Sequence, residues 1–440
     1  MEDRKLADEL SQISRFQRAL GALSGRERNA MLEAIAHALE TQKPRIAKAN
    51  ERDLLAPDNE QLPIPLRKRL VCDEDKLDTI CTGLRQVASL ADPIGRVREK
   101  RLLDTGLILE RVDVPIGVIG MIFESRPDAL VQILSLCLKS GNAIILKGGK
   151  EALQTNRELV AIVRETLEQF SVGSGWIIHL EQREDVHKLL EMNEIVDLLI
   201  PRGSNEFVRY IMDHTKIPVL GHADGICALY VDQHADIDMA VSVAVDSKCQ
   251  YPAVCNAIET LLVHKKIAPQ FLPKFRSAVE PWSVIIHGDS AVQGFIPCVA
   301  AAASDWDTEY LGYEIAIKVV SSPEEAITHI AEHSSGHTEC IVTEDVSTAR
   351  TFLREVDSAD VFWNCSTRFA DGFRFGLGAE VGISTQKIHA RGPVGLDGLV
   401  IGKWLLAGKG HIVDTYAKGK EFIHEELPVN GTSLYSEEEV

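Results

Sequence analysis

The sequence predicts an α/β fold built on parallel sheets, and three observations carry that prediction. From Val114 onward, short apolar runs alternate with amphipathic helical stretches, the order that gives parallel strands with right-handed crossovers. The runs are short and apolar, as in "VIGMIF" and "AIILK", the length of strands rather than of helices. The series then repeats after about Cys227, so the chain is expected to hold two such units, with a boundary near 224–227.

The elements follow in order. Residues 1–100 read as helical, as in "RERNAMLEAIAHALETQKPRIAKANERDLLA", with apolar residues three and four apart. Ser24 precedes the first of these stretches and is a candidate N-cap. Five strands are expected next, at 118–123, 143–147, 176–180, 197–201 and 217–221, with helices between them. The second unit has "CALYVD", the helix "DIDMAVSVAVDSK", "ETLLVH", a helix near 267–280, "WSVIIHG", "YEIAIKVV", "PEEAITHIAEH", "ECIVTED" and "STARTFLREV". The end, "SEEEV", reads as a frayed acidic tail.

Composition excludes several functions. The chain has 440 residues, 45% hydrophobic and 25% charged, the profile of a globular protein with two or three domains. A formal net charge of -18 argues against nucleic acid as a partner, because phosphate contacts need clustered Lys and Arg. No run of about 18 apolar residues is present, so no membrane span is expected. The N-terminus lacks the apolar core of a signal peptide. The nine cysteines are scattered, with no CxxC pair. Reduced thiols and a cytoplasmic location are the expectation.

Motifs give a sheet without a declared ligand. GxGxxG and the phosphate loop are absent, and "FGLGAEVG" (375–382) has the wrong spacing. "ILKGGKE" (145–151) is either an anion site at a helix start, with Lys147 and Lys150, or a tight turn with two solvated lysines. "FESRPD" (123–128) follows the first parallel strand, where ligands bind in open α/β sheets. Arg126 there is placed either to clamp an anion or to pair with Glu124 or Asp128. "HSSGH" (333–337) breaks the helix that two metal-binding histidines would need, so no metal is expected. Cys255 and Cys249 share a loop after a helix, and Lys248 stands beside it as a cation able to lower a thiol pKa. Pattern alone does not separate the two cysteines.

Longer blocks do. "KCQYPAVCNAIETLLVH", "VPIGVIGMIFESRPDALVQILSLCLKSGNAIILKGGKEA", "IPRGSNEFVRYI", "IPVLGHADGICALYVD", "GHTECIVTED", "STRFADGFRFGLGAEVGISTQKIHARGPVGL" and "GKWLLAGKG" together resemble the gamma-glutamyl phosphate reductase family of the aldehyde dehydrogenase superfamily. The resemblance implies an aldehyde dehydrogenase-like fold. A Rossmann-like cofactor domain comes from 1–102, 117–224 and a return at 376–400. A catalytic α/β domain spans 225–375. A small oligomerisation element combines the hairpin 103–116 with 401–440, whose end is the acidic tail.

The implied reaction is reduction of L-glutamyl 5-phosphate by NADPH to L-glutamate 5-semialdehyde and phosphate, the second step of proline biosynthesis from glutamate. Cys255 is the implied nucleophile, forming a thioester. Ser125, Arg126 and Asn256 are implied at the oxyanion or substrate, with Arg368 and Arg391. Lys147, Gly148, Lys150, Arg202, Gly203 and Glu309 are implied at NADP(H). Hydrolysing aldehyde dehydrogenases carry a base glutamate where this chain reads "GHADG" (221–225), which agrees with reduction. Tyr251 and Ala253 stand where the family usually has Arg and Gly. A homo-oligomer is implied, and a separate glutamate 5-kinase becomes a candidate partner because no kinase segment is present. A hydrolysing dehydrogenase and a catalytically silent scaffold remain the alternative readings.

Overall fold

A computed structural model describes residues 2–62, 67, 69–124, 126–182, 184–221, 224–429 and 433–435. The chain opens with helices Glu2–Gly21, Gly25–Thr41, Lys43–Leu54, Pro57–Glu60 and Glu74–Ser89. Ser24 caps the second helix. Its hydroxyl accepts from the Glu27 N–H while the Glu27 carboxylate accepts from Ser24 N–H, a closed capping box. That helix buries Met31, Leu32, Ile35, Ala36 and Leu39, the stripe its spacing predicts.

The helical opening ends earlier than expected, because β1 (Val97–Asp104) already forms a hairpin with β2 (Leu107–Pro115). Strands β3 (Val118–Phe123), β4 (Ala143–Gly148), β5 (Ile177–Leu180) and β6 (Leu198–Arg202) make a parallel sheet in the order β5-β4-β3-β6. The expected fifth strand at 217–221 does not form. Leu199 exchanges hydrogen bonds with Pro218 and Leu220, both at 2.8 Å, and the pairing stops at one bridge, Leu199 to Val219. Pro218 has no N–H with which to extend the ladder.

The second sheet has seven strands: β7 (Cys227–Val231), β8 (Ile258–His264), β9 (Ile285–Gly288), β10 (Val299–Ala300), β11 (Glu314–Val320), β12 (Thr338–Val342) and β13 (Asp360–Trp363). Their order is β10-β9-β11-β8-β7-β12-β13, and every pairing is parallel. A short hairpin follows, β14 (Gly382–Ser384) with β15 (Gly392–Val394). Finally β16 (Val400–Ala407) and β17 (Glu425–Glu426) join the first hairpin as an antiparallel sheet, β16-β2-β1-β17. The acidic end, 436–440, lies outside the described residues.

Each parallel sheet has its own core. Around β3–β6, Leu130, Leu134, Leu159 and Val163 from the crossover helices pack with Met31 and Ile35 from the opening helices. Val381, Val394, Leu396 and Leu399 return from far along the chain to the same core. Around the seven strands, Leu229, Leu261, Ile317 and Cys340 pack with Phe271 and Phe275. Among the described residues no helix is long and apolar enough to cross a membrane.

Candidate active site

The Cys255 loop joins the helix Ile237–Cys249 to β8. It is packed tightly from behind. A Cβ on Gly225 would lie 2.3 Å from the Cys255 carbonyl oxygen and 2.6 Å from its Cβ, so only glycine fits there. The Cys227 thiol donates to that same carbonyl at 3.1 Å. Asn256 is buried, and its amide donates to the Ala370 carbonyl at 2.7 Å. This ties the loop to the segment carrying Arg368. The Asn256 side-chain oxygen has no hydrogen-bond partner among the described residues.

Burial separates the two cysteines that pattern could not. Cys249 is buried, and burial pushes its thiol up to about 11, which leaves little nucleophilic thiolate. Cys255 is partly exposed. Lys248 does not serve it. The Lys248 ammonium is fully buried and committed to the equally buried Glu259 carboxylate. Burial pushes that carboxyl up to about 7 and pulls the lysine down.

Arginines face the thiol instead. Arg368 is buried, and its Nε donates to Gln250 at 3.0 Å. Arg374 donates to the Arg368 carbonyl at 2.9 Å. Burial pulls the Arg368 guanidinium down from its ordinary value, and so does Arg374, while Cys255 opposes the shift. Arg202, expected beside the cofactor, ends β6 with Arg126 and Cys255 in its electrostatic surroundings. Burial and Arg126 both pull it down. Gly382 presses on this guanidinium, since a Cβ there would lie 2.7 Å from Arg202 Nη1. Arg126 begins the helix Pro127–Lys139. Arg391 is held elsewhere, by the Asp357 carboxylate at 2.8 Å and the Asp357 carbonyl at 2.9 Å. Ser125 lies outside the described residues.

The other half of the cleft is the carboxyl edge of β3, β4 and β6. Phe123 pairs with Gly148 on one side and Arg202 on the other, so three strand ends are level. Lys147 is buried, its ammonium donates to the Gly148 carbonyl, and burial pulls its pKa down. Asp185, Glu151, Glu181 and Glu184 oppose that shift. Gly148 lets Asn156 and Phe123 pack directly on its backbone, because a Cβ would lie 2.4 Å from Asn156 Nδ2 and 3.0 Å from Phe123 Cζ. Asn156 is buried with neither amide atom partnered among the described residues. Lys150 is exposed and pairs with exposed Asp58 at 2.8 Å. Gly203 follows β6, and the next N–H, of Ser204, donates to Glu124 at 3.1 Å.

Glu309 closes the cleft. It belongs to the loop before β11 of the seven-stranded sheet, yet its carboxylate accepts from the Asn205 amide on the helix after β6. Asn205 also donates to Asp224 at 3.2 Å, and Asp224 pairs with Arg209. Two cavities lie elsewhere: one of about 390 Å³ lined by Lys76, Gln132 and Glu380, and one of about 520 Å³ lined by Arg96, His389 and Asp397. Among the described residues no group of three or more His, Cys, Asp or Glu could hold a metal ion.

Sequence reasoning missed Gly225 and the Lys248–Glu259 pair. One signal for the pair was available: a glutamate inside the otherwise apolar run "AIETLLVH". A charge in a strand buried on both faces needs a partner.

The architecture is a pair of parallel α/β sheets, with a partly exposed thiol that two arginines feel electrostatically. Residues 4–311 match the family model described as the aldehyde dehydrogenase family. A gamma-glutamyl phosphate reductase of Acetivibrio thermocellus is 54% identical over 417 residues, covering 94% of this chain and 97% of that protein. One from Pelotomaculum thermopropionicum is 55% identical over 401 residues, covering 91% of this chain and 92% of the relative. The crystal structure of the Thermotoga maritima gamma-glutamyl phosphate reductase superposes with a TM-score of 0.90 at 39% identity, covering 92% of this chain and 99% of that one. The chain therefore belongs to the aldehyde dehydrogenase family and, within it, to the gamma-glutamyl phosphate reductases. A glyceraldehyde-3-phosphate dehydrogenase from Methanocaldococcus jannaschii, solved in complex with NADP, shares the fold at 16% identity and a TM-score of 0.64, covering 92% of this chain and 94% of that one.

Proposed function

We propose that this protein reduces L-glutamyl 5-phosphate to L-glutamate 5-semialdehyde and phosphate, with NADPH as the cofactor and Cys255 as the nucleophile. The observation that carries the reading is the partly exposed Cys255, which lies in the electrostatic surroundings of both Arg368 and Arg202, inside a chain at 54% identity to a named reductase. Arginines suit a substrate that is anionic at both ends, with a phosphate and an α-carboxylate.

The Cys255 thiolate attacks the acyl carbon, the carbon–oxygen bond to phosphate breaks, and a thioester forms. The tetrahedral oxyanion needs fixed donors. The Cys255 N–H and a donor from the Ser125–Arg126 segment are the candidates. Asn256 is a weaker one, since its amide is already spent on Ala370. The arginines hold the departing phosphate. The cofactor, when bound, supplies a hydride to the thioester carbon, after which the thiohemiacetal collapses and frees the thiol.

The residues present fit a dinucleotide. The unpartnered amide of buried Asn156, packed on Gly148, supports a polar ligand at the carboxyl edge of the sheet. Lys147, Gly148 and Gly203 would line it, Lys150 would meet a 2′-phosphate, and Glu309 would meet the nicotinamide ribose. Water is not activated at the thioester. The one carboxylate in "GHADG" is Asp224, and it is paired with Arg209.

In this reading 1–102, 117–224 and 376–400 serve the cofactor, and 225–375 the thiol chemistry. The exposed Ile401, Trp404 and Leu406 on β16 support a homo-oligomer through 103–116 and 401–440. A glutamate 5-kinase would supply the substrate, and the cytoplasm, where thiols stay reduced, is the fitting compartment.

The reverse reaction tests this. Semialdehyde, phosphate and NADP should give reduced cofactor, followed by its absorbance, and Cys255→Ser should lose at least about 10³-fold. Turnover that persists without phosphate would instead indicate a hydrolysing dehydrogenase. Full activity in Cys255→Ser would sink the nucleophile assignment.

A further inference from the structure

The fully buried Lys248–Glu259 pair has no role in the chemistry above. It brackets the Cys255 loop: Lys248 lies in the last turn of the helix before it, and Glu259 is the second residue of β8 after it. A buried pair is poor evidence of stabilisation, because desolvating both charges offsets their attraction. Its contacts point toward position instead. The second Glu259 oxygen accepts the Leu311 N–H at 3.3 Å. Leu311 has φ +52°, the left-handed region that a large apolar side chain rarely adopts. The Tyr310 ring lies 5.9 Å from Lys248 Nζ, its hydroxyl donates to Asp305 at 3.0 Å, and it stacks on His287. Glu309 reaches the opposite way, to Asn205 across the cleft.

The geometry points to the Lys248–Glu259 pair as a positioning device that holds the turn 309–311 in its left-handed conformation. It thereby sets Glu309 at a fixed offset from the Cys255 loop. The inference rests on the reading of Glu309 as a cofactor residue. Neither Lys248 nor Glu259 touches the reacting atoms. One carboxylate ties both ends of the thiol loop to the turn that faces the cofactor edge, so the two halves of the site cannot drift independently.

The test measures the dissociation constant of NADPH by its fluorescence, alongside the thermal unfolding midpoint. Lys248→Met with Glu259→Leu removes both charges, so no lone buried charge remains. This double variant should unfold near the wild-type temperature and bind NADPH about tenfold more weakly. Glu259→Gln keeps an oxygen for the Leu311 N–H and should recover most of the affinity that Glu259→Leu loses. Wild-type affinity in the folded double variant overturns the proposal, as does a Glu259→Gln no better than Glu259→Leu. Replacing the Leu311 peptide N–H by an ester oxygen deletes the single donor and leaves the pair whole. It should weaken NADPH equally, and wild-type affinity there overturns the proposal even where the double variant fails to fold. Glu309→Gln separates the two levels. If it binds NADPH normally, the reading of Glu309 falls and this inference with it. If it binds weakly while the double variant binds normally, this inference alone falls.

Discussion

The two parallel sheets handle polarity in opposite ways. Strands β3 and β4 are buried along their whole length, and Lys147 at the carboxyl end of β4 is their one charged residue. The seven-stranded sheet carries charge in its interior: Glu259 in β8 and Glu339 in β12 are fully buried, and Asp232 follows directly on β7. The first sheet works through strand ends and loops, so its interior is free to be apolar. The second must hold a thiol and a turn from another loop at one spacing. Hydrogen-bonded charges do that with direction, which apolar packing lacks.

The contrast breaks most visibly at Lys248. Lys248→Met alone strands the Glu259 carboxylate and should cost about 3–5 kcal/mol in urea unfolding, while adding Glu259→Leu should restore most of it. A single variant as stable as wild type would mean that the pair carries no electrostatic constraint. The apolar sheet should respond differently. Leu146, fully buried in β4, should cost about 3 kcal/mol as Leu146→Ala through the cavity left behind. The Cys255 alkylation rate should not change below the unfolding transition.

Glu339 offers a pH readout of the charged interior. Burial pushes its carboxyl up to about 8, against an ordinary 4.5, although Ser334, the Ala228 N–H and Ser358 oppose the shift. The folded state therefore binds more protons than the unfolded state between those two values. Stability should fall as pH rises through that window and level off above it. Glu339→Gln should remove this slope, seen as thermal midpoints that change less between pH of about 5 and about 8. The smallest effect belongs at the surface. Asp58→Asn should leave stability unchanged, because the Asp58–Lys150 pair is exposed on both sides. By freeing Lys150 it should slightly favour NADPH over NADH in measured dissociation constants.

Largely apolar runs made β3, β4, β7 and β8 legible, because a strand buried on both faces keeps a polar residue only where it finds a partner, as Glu259 in β8 does. The run at 217–221 misled for the same reason: it is apolar and lies against β6, but Pro218 cannot extend a ladder. Cys255 was legible through the blocks around it, whereas its preference over Cys249 on physical grounds required burial, a property of neighbours distant in the chain. Lys248 is the clearest reversal. Adjacency in sequence suggested a cation for the thiol, but helix geometry points its side chain into the core toward Glu259. The resemblance implied Arg202 at the cofactor, and only the structure showed Cys255 in its electrostatic surroundings.

The sequence by itself determined the two α/β units and the family, and it singled out Cys255 as the proposed nucleophile, because these rest on local periodicity and on ungapped blocks of residues. Tertiary structure alone decided which cations face the thiol, which charge is buried with which, and how Glu309 crosses to the other sheet. Arg368 and Glu309 reach their partners across more than a hundred positions, and even Lys248 and Glu259, 11 positions apart, meet only because a helix and a strand fold back on one loop; one-dimensional pattern carries no record of such contacts.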